Sequence, residues 1–96
     1  MAVTQLTFTE NEGKFVSESV QVTGNAIGLQ VVVKDPTVNN VVEIYQSSTG
    51  DKFAKCGEFN QRVEVADTSV HGLVPGMYVQ IQCNTEPVEG FILNQD

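Results

Sequence analysis

Reactive side chains are few in this 96-residue chain, and its one histidine, His71, is the natural place to look for catalysis. It closes the stretch ADTSVH, with Asp67, Thr68 and Ser69 just before it. Ser, His and Asp are the residue types of a nucleophilic triad, but a triad is assembled from groups that separate elements bring to one substrate atom. Residues this close along an extended chain cannot converge in that way, so His71 reads as a loop histidine suited to contact. Cys56 and Cys83 lack the CxxC spacing of redox or zinc sites, and a single histidine cannot complete a four-ligand zinc set without carboxylates. Ala54 beside the first and Val79 and Ile81 beside the second predict two small buried hydrophobes. A Cys56 to Cys83 bridge stays open if their strands are neighbours. Glu10, Asn11 and Glu12 in one turn, and Asp35, Asn39 and Asn40 around another, offer the oxygens that calcium needs but not the ligand spacing of a calcium loop. Both read as solvated turns, and no metal or cofactor is expected.

The elements that must position these groups are strands. Apolar and polar residues alternate in short bursts bounded by Gly, Asn, Asp or Pro, and helical periodicity is almost absent. Leu6 and Phe8 begin the pattern, followed by a turn at TENEG and a run through Phe15, Val16, Val20 and Val22. Ile27, Leu29, Val31 and Val33 share one face of a strand expected to be central, which ends at Asp35-Pro36 because proline cannot continue a ladder. Val42 and Ile44 lie on the next strand, Ser47 to Asp51 form a turn, and a strand with Phe53, Ala54 and Cys56 follows. Val63 and Val65 alternate with Arg62 and Glu64. Residues 66 to 76 read as a long irregular connection between two sheets. In MYVQIQC, Met77, Val79, Ile81 and Cys83 face the core while Tyr78, Gln80 and Gln82 face away. The closing GFIL directs either Phe91 and Leu93, or Ile92, inward. The predicted fold is all-β, a single-domain antiparallel β-sandwich over residues 1–96, jelly-roll or Ig-like, with about eight short strands.

Five Lys and Arg against twelve Asp and Glu give a net charge of −7, the wrong sign for neutralising nucleic-acid phosphates or anionic lipid. A nucleic-acid or membrane partner is therefore not expected. The N-terminal MAVTQLTFTENEGK has no basic region and apolar run of a signal peptide, and no later stretch approaches the ~20 apolar residues of a bilayer span. Synthesis in a cytoplasm with reduced thiols is expected.

Val42-Glu43-Ile44, the turn Ser47-Ser48-Thr49-Gly50, Phe53, and Tyr78-Val79-Gln80-Ile81 together resemble the galactose-binding-like jelly rolls, a group that includes discoidin-type domains and several carbohydrate-binding modules. The resemblance covers residues 41–92 and implies a jelly-roll fold and a glycan ligand. Phe53 stands where those domains often carry Trp, and Gln80 where Arg is common. The chain also lacks the family's N-terminal elements and ligand-binding loops, so the sugar site does not transfer residue by residue. In size, acidity and want of a reactive constellation, the chain is similar to small phage virion proteins such as capsid decoration, auxiliary head or fibre modules. That likeness implies a non-enzymatic protein in a virion, docked on a protein assembly of major capsid or tail proteins, with homo-oligomerisation as a further expectation. On either reading the contact residues are expected to be Tyr45, Ser47, Ser48, Thr49, Asp51, His71 and Tyr78. The two tyrosines are included because each alternates to the polar side of its strand.

Overall fold

The structure is a computed structural model that describes residues 2–95. Ten strands pack as two antiparallel sheets: β1 (Ala2–Gln5), β2 (Phe8–Asn11), β3 (Lys14–Ser17), β4 (Val20–Gln21), β5 (Ala26–Val33), β6 (Asn40–Ser47), β7 (Ala54–Gln61), β8 (Val65–His71), β9 (Tyr78–Cys83) and β10 (Pro87–Asn94). The first sheet has the order β1-β10-β5-β8; the second has the order β2-β3-β9-β6-β7, with β4 also paired to β9. After the β2 to β4 segment the chain passes back and forth between the sheets, keeping only the β6–β7 hairpin together. Each return carries one apolar face inward, and the result is a β-sandwich.

Side-chain alternation sets the core. Ile27, Leu29, Val31 and Val33 from β5 meet Val42 and Ile44 from β6, Val79, Ile81 and Cys83 from β9, and Ile92 from β10, all buried. As expected, β5 is interior to its sheet, lying between β10 and β8. Ile92, not Phe91 or Leu93, is the inward residue of β10.

Several segments read as continuous are in fact broken where the chain changes sheet. Leu6 lies between β1 and β2, where its N–H donates to the Gly90 carbonyl at 2.7 Å and its side chain enters the core. The run from Phe15 to Val22 is two strands, β3 and β4, which pair with β9 at Gln82–Cys83 and Tyr78–Val79 respectively. The buried Ser17 hydroxyl fills the gap in that ladder by accepting the Ile81 N–H at 2.9 Å. These divisions raise the count from about eight strands to ten. Val63 is not on a strand; it is an exposed corner residue where β7 leaves for β8. Phe53 likewise precedes β7.

Two buried amides tie the sheets together at these crossings. Gln61 Nε2 on β7 donates to the carbonyls of Val31 (2.8 Å), Val63 (3.0 Å) and Glu64 (3.3 Å), and its Oε1 accepts from Asn40 Nδ2. Asn94 on β10 donates to the Gln21 carbonyl at 3.0 Å and accepts from the Thr23 N–H. Burying an amide is tolerated when its donors and acceptor are used, and here both amides take the place of ladder bonds lost where strands change sheet.

The β2–β3 turn holds Glu12 at φ 54° and Gly13 at φ 81°. Two successive left-handed residues define a type I′ hairpin, which favours Asn-Gly over Glu-Gly because Asn tolerates the left-handed region. Glu12→Asn is expected to raise unfolding free energy by about 0.5 to 1 kcal/mol in urea titration. A loss instead would mean that the glutamate side chain makes a contact worth more than the backbone strain.

Candidate interaction surfaces

The residues expected to make contacts fall on two separate faces. On the outer face of the larger sheet, Tyr45 stands opposite Gln80 and Tyr78 opposite Ser47, which makes the tyrosines diagonal neighbours on adjacent strands. The Ser47–Asp51 turn folds back over this face. Ser47 Oγ accepts the N–H of Gly50 at 2.9 Å and of Thr49 at 3.2 Å, and Thr49 Oγ1 accepts the Asp51 N–H at 3.3 Å. Gly50 has φ 79°, and a Cβ there would sit 2.9 Å from Tyr78 Cε1, so the ring lies directly beneath the turn. Ser47 is accordingly buried, and its hydroxyl shapes the turn instead of facing outward. Ser48 and Asp51 are exposed, Thr49 is exposed with its hydroxyl engaged in the turn, and both tyrosines are half-buried.

Beside them on this face, Glu43 accepts from Lys14 at 2.5 Å and pairs with Lys55 at 3.0 Å, and Lys55 also pairs with Glu58. Hydrogen bonds from Lys14 and then Lys55 hold the Glu43 carboxyl below its ordinary value of 4.5. The folded chain therefore releases this proton more readily than the unfolded chain does. The resulting stability is present above the unfolded carboxylate range and is lost as pH falls through the lower, folded value. Glu43→Gln should flatten the acid limb of the stability profile below about pH 4.5, leaving the profile near neutrality displaced but parallel to the original. Urea midpoints across that range measure it, and an unchanged acid limb would mean that the carboxylate is not coupled to folding.

The cysteines correct the sequence-based reading in part. Cys83 is buried on β9 as expected, and burial pushes its thiol up to about 11. Cys56 is exposed on β7, at the bulge where the β6–β7 register shifts between Ile44 and Tyr45. The extra residue of a bulge leaves the inward-outward alternation that Ala54 suggested. With β6 between β7 and β9, the two cysteines are not on neighbouring strands, and both are free thiols. A maleimide should label one thiol per native chain and two in denaturant; two labelled natively would mean that β9 opens readily.

His71 lies on the other sheet. Residues 66–71, part of the 66–76 stretch expected to be irregular, continue from Val65 as the edge strand β8, and the passage to the larger sheet is confined to the segment between His71 and Tyr78. Asp67, Ser69 and His71 line one face of β8: Asp67 accepts from Gln30 Nε2 at 3.2 Å, and Ser69 Oγ lies 2.9 Å from His71 Nε2. Asp67 and His71 are four residue steps apart on an extended strand, about 13 Å, too far for the carboxylate to orient the imidazole.

Strand register assembles around β8 a surface that the sequence did not reveal. Across the outer face of the smaller sheet run the rows Val3-Leu93-Gly28-Ser69 and Gln5-Phe91-Gln30-Asp67, then Glu89-Val32-Val65. Gly28 supplies no side chain between Leu93 and Ser69, and a shallow hollow of about 380 Å³ forms there, lined by Val3, Gln30, Asp67, Phe91 and Leu93 among others. A second hollow, about 420 Å³, lies along Thr7, Thr9, Glu10, Val16 and Glu18. Tyr45 and Tyr78 line neither. Val3 is 66 % exposed, Val65 48 % and Leu93 38 %. Val32 on the outward side of β5, and Phe91 and Leu93 alternating with Ile92, were the signals in the sequence that both faces of this sheet carry apolar residues. Comparisons with protein-family models, with curated proteins and with solved structures returned no match.

Proposed function

We propose that this chain is a non-enzymatic structural protein that docks on a larger protein assembly, as a phage virion component of the capsid decoration, auxiliary head or fibre kind. The observation that carries this reading is the outer face of the smaller sheet, where Val3, Leu93 and Val65 are exposed around the half-buried Phe91. A sheet face that needs no apolar residues for its own core gains by covering them against a partner. With a net charge of −7, the chain fits a partner surface less acidic than itself.

A carbohydrate-binding role of galactose-binding-like type is the second reading. It is favoured by the same hollow, where Phe91 lies beside the hydrogen-bonding pair Gln30 and Asp67. A site of this kind would hold a sugar ring against an aromatic face with fixed polar neighbours. The half-buried tyrosines, one of them packed under the Ser47–Asp51 turn, lend that reading no support.

Density-gradient sedimentation of a native lysate, probed with an antibody to the protein, tests the docking function. Comigration with large particles that Leu93→Glu abolishes, while the purified variant keeps its fold, is the expected result. Recovery of the unsubstituted chain solely as a slow, small species would overturn it and make a glycan-binding screen with Gln30→Ala and Asp67→Ala the next step.

A further inference from the structure

A sheet edge presents unpaired N–H and C=O groups to any extended chain that meets it, and proteins blunt such edges with shortness, charge, proline or bulges. Most of the edges in this sandwich are blunted. Strands β1 and β2 have four residues each and β4 has two. Strand β7 is long, but it carries a bulge and the Lys55–Glu58 ion pair. Strand β8 has one of these devices, the single charge of Asp67, and none of the others. Its seven residues, VADTSVH, contain no Pro, Gly or Lys, and they pair with β5 in unbroken register from Val65↔Val32 to His71↔Ala26. Its outer edge has no partner strand among the described residues.

We propose that β8 pairs antiparallel with β8 of a second copy of this chain, about a two-fold axis through Thr68. The reason for a second copy, and not an unrelated strand, is self-complementarity. In that register Thr68 meets the partner's Thr68, Asp67 faces the partner's Ser69, and Val65 faces the partner's His71. Each Asp67 carboxylate thus lies opposite a hydroxyl, with the partner's His71 on one diagonal and the partner's Asp67 on the other, so the two carboxylates are near each other without being directly opposed. Ala66 meets the partner's Val70, so every row but that of Val65 and His71 pairs residues of like character. The two four-stranded sheets become one of eight strands, and their outer faces join into a continuous surface carrying two copies of the hollow at Gly28. The pairing follows from the sheet edge and stands whether or not the protein docks on an assembly.

One seven-residue edge buries less than the roughly 800 Å² per partner of a standard interface, so the dimer should be concentration-dependent, with Kd roughly in the micromolar to submillimolar range. The charge of −7 on each copy opposes association, and added salt screens it, so the dimer should strengthen as ionic strength rises.

Sedimentation velocity over a wide concentration range, at low and at moderate salt, reads both effects on the full chain. Thr68 is exposed, so Thr68→Lys leaves the fold intact while setting two ammonium groups opposite each other in the dimer. Its Kd should rise tenfold or more. In a Cys56→Ser background, Thr68→Cys should form an intermolecular disulfide on mild oxidation, since directly opposed residues of antiparallel strands lie within disulfide reach. Val65→Cys, which faces the partner's His71, should not. A chain that stays monomeric throughout the range, or equal cross-linking by the two cysteine variants, would overturn the proposal.

Discussion

Gln61→Leu is expected to lower unfolding free energy by about 3 kcal/mol, although leucine nearly matches the volume it replaces. Gln61 is 1 % exposed, and its amide group is the donor shared by three carbonyls, on Val31 in one sheet and on Val63 and Glu64 in the corner between the sheets. Leucine leaves those carbonyls without that donor and leaves Asn40 Nδ2, itself buried, without its acceptor. Urea titration measures the loss. A cost below about 1 kcal/mol would mean that water reaches the corner and takes over the amide's role. Gln61→Glu separates the donor from the volume. A carboxylate in that place faces carbonyl oxygens and binds a proton to avoid repulsion, so its folded-state pKa lies above the unfolded one. The stability of that variant should be greatest below the unfolded carboxylate range and should fall as pH rises through the folded value.

Ile81→Ala should cost about 3 to 4 kcal/mol, the range in which a buried branched side chain is lost together with the cavity it leaves. Ile81 is fully buried at the middle of β9, opposite Ile44, where β3, β4 and β6 all converge on one strand. Strand neighbours on both sides leave little room for collapse around the deleted atoms. Leu93→Ala is the informative comparison, since it removes similar atoms from the outward side of β10. It should cost less than about 1 kcal/mol, because Leu93 keeps solvent contact in the folded chain. A large loss at Leu93 would place that face in the fold's own core and remove the ground for treating it as a docking surface.

Alternation along single strands made part of this structure legible. Ile27 to Val33 and Val79 to Cys83 each placed their apolar set on the core side, because a strand with one buried face repeats every two residues whatever its neighbours are. The turns were marked by Gly13, which suits left-handed backbone, and by Ser47 and Thr49, which bond the main chain of their own turn. Strand β8 gave no such signal. An edge strand covers little core, so Asp67 and Ser69 stay exposed on the outer face, and of the inward set Ala66, Thr68 and Val70 even Thr68 is exposed while the other two are half-buried. Its sequence resembles a loop because only the order of strands makes it a strand.

The sequence by itself determined the β class, the inward parity of the central strands and the acidic surface, all of which depend on residue type and local spacing. The tertiary structure decided which strands lie side by side. It thereby exposed Cys56, buried Ser47, set Asp67 apart from His71 and gathered Val3, Gly28, Val65 and Leu93 onto one face. Those residues come from segments as distant as the two ends of the chain, and their meeting depends on how two sheets bury their inner faces against each other. Local alternation fixes which side of a strand is apolar, and long-range pairing alone fixes what stands next to it.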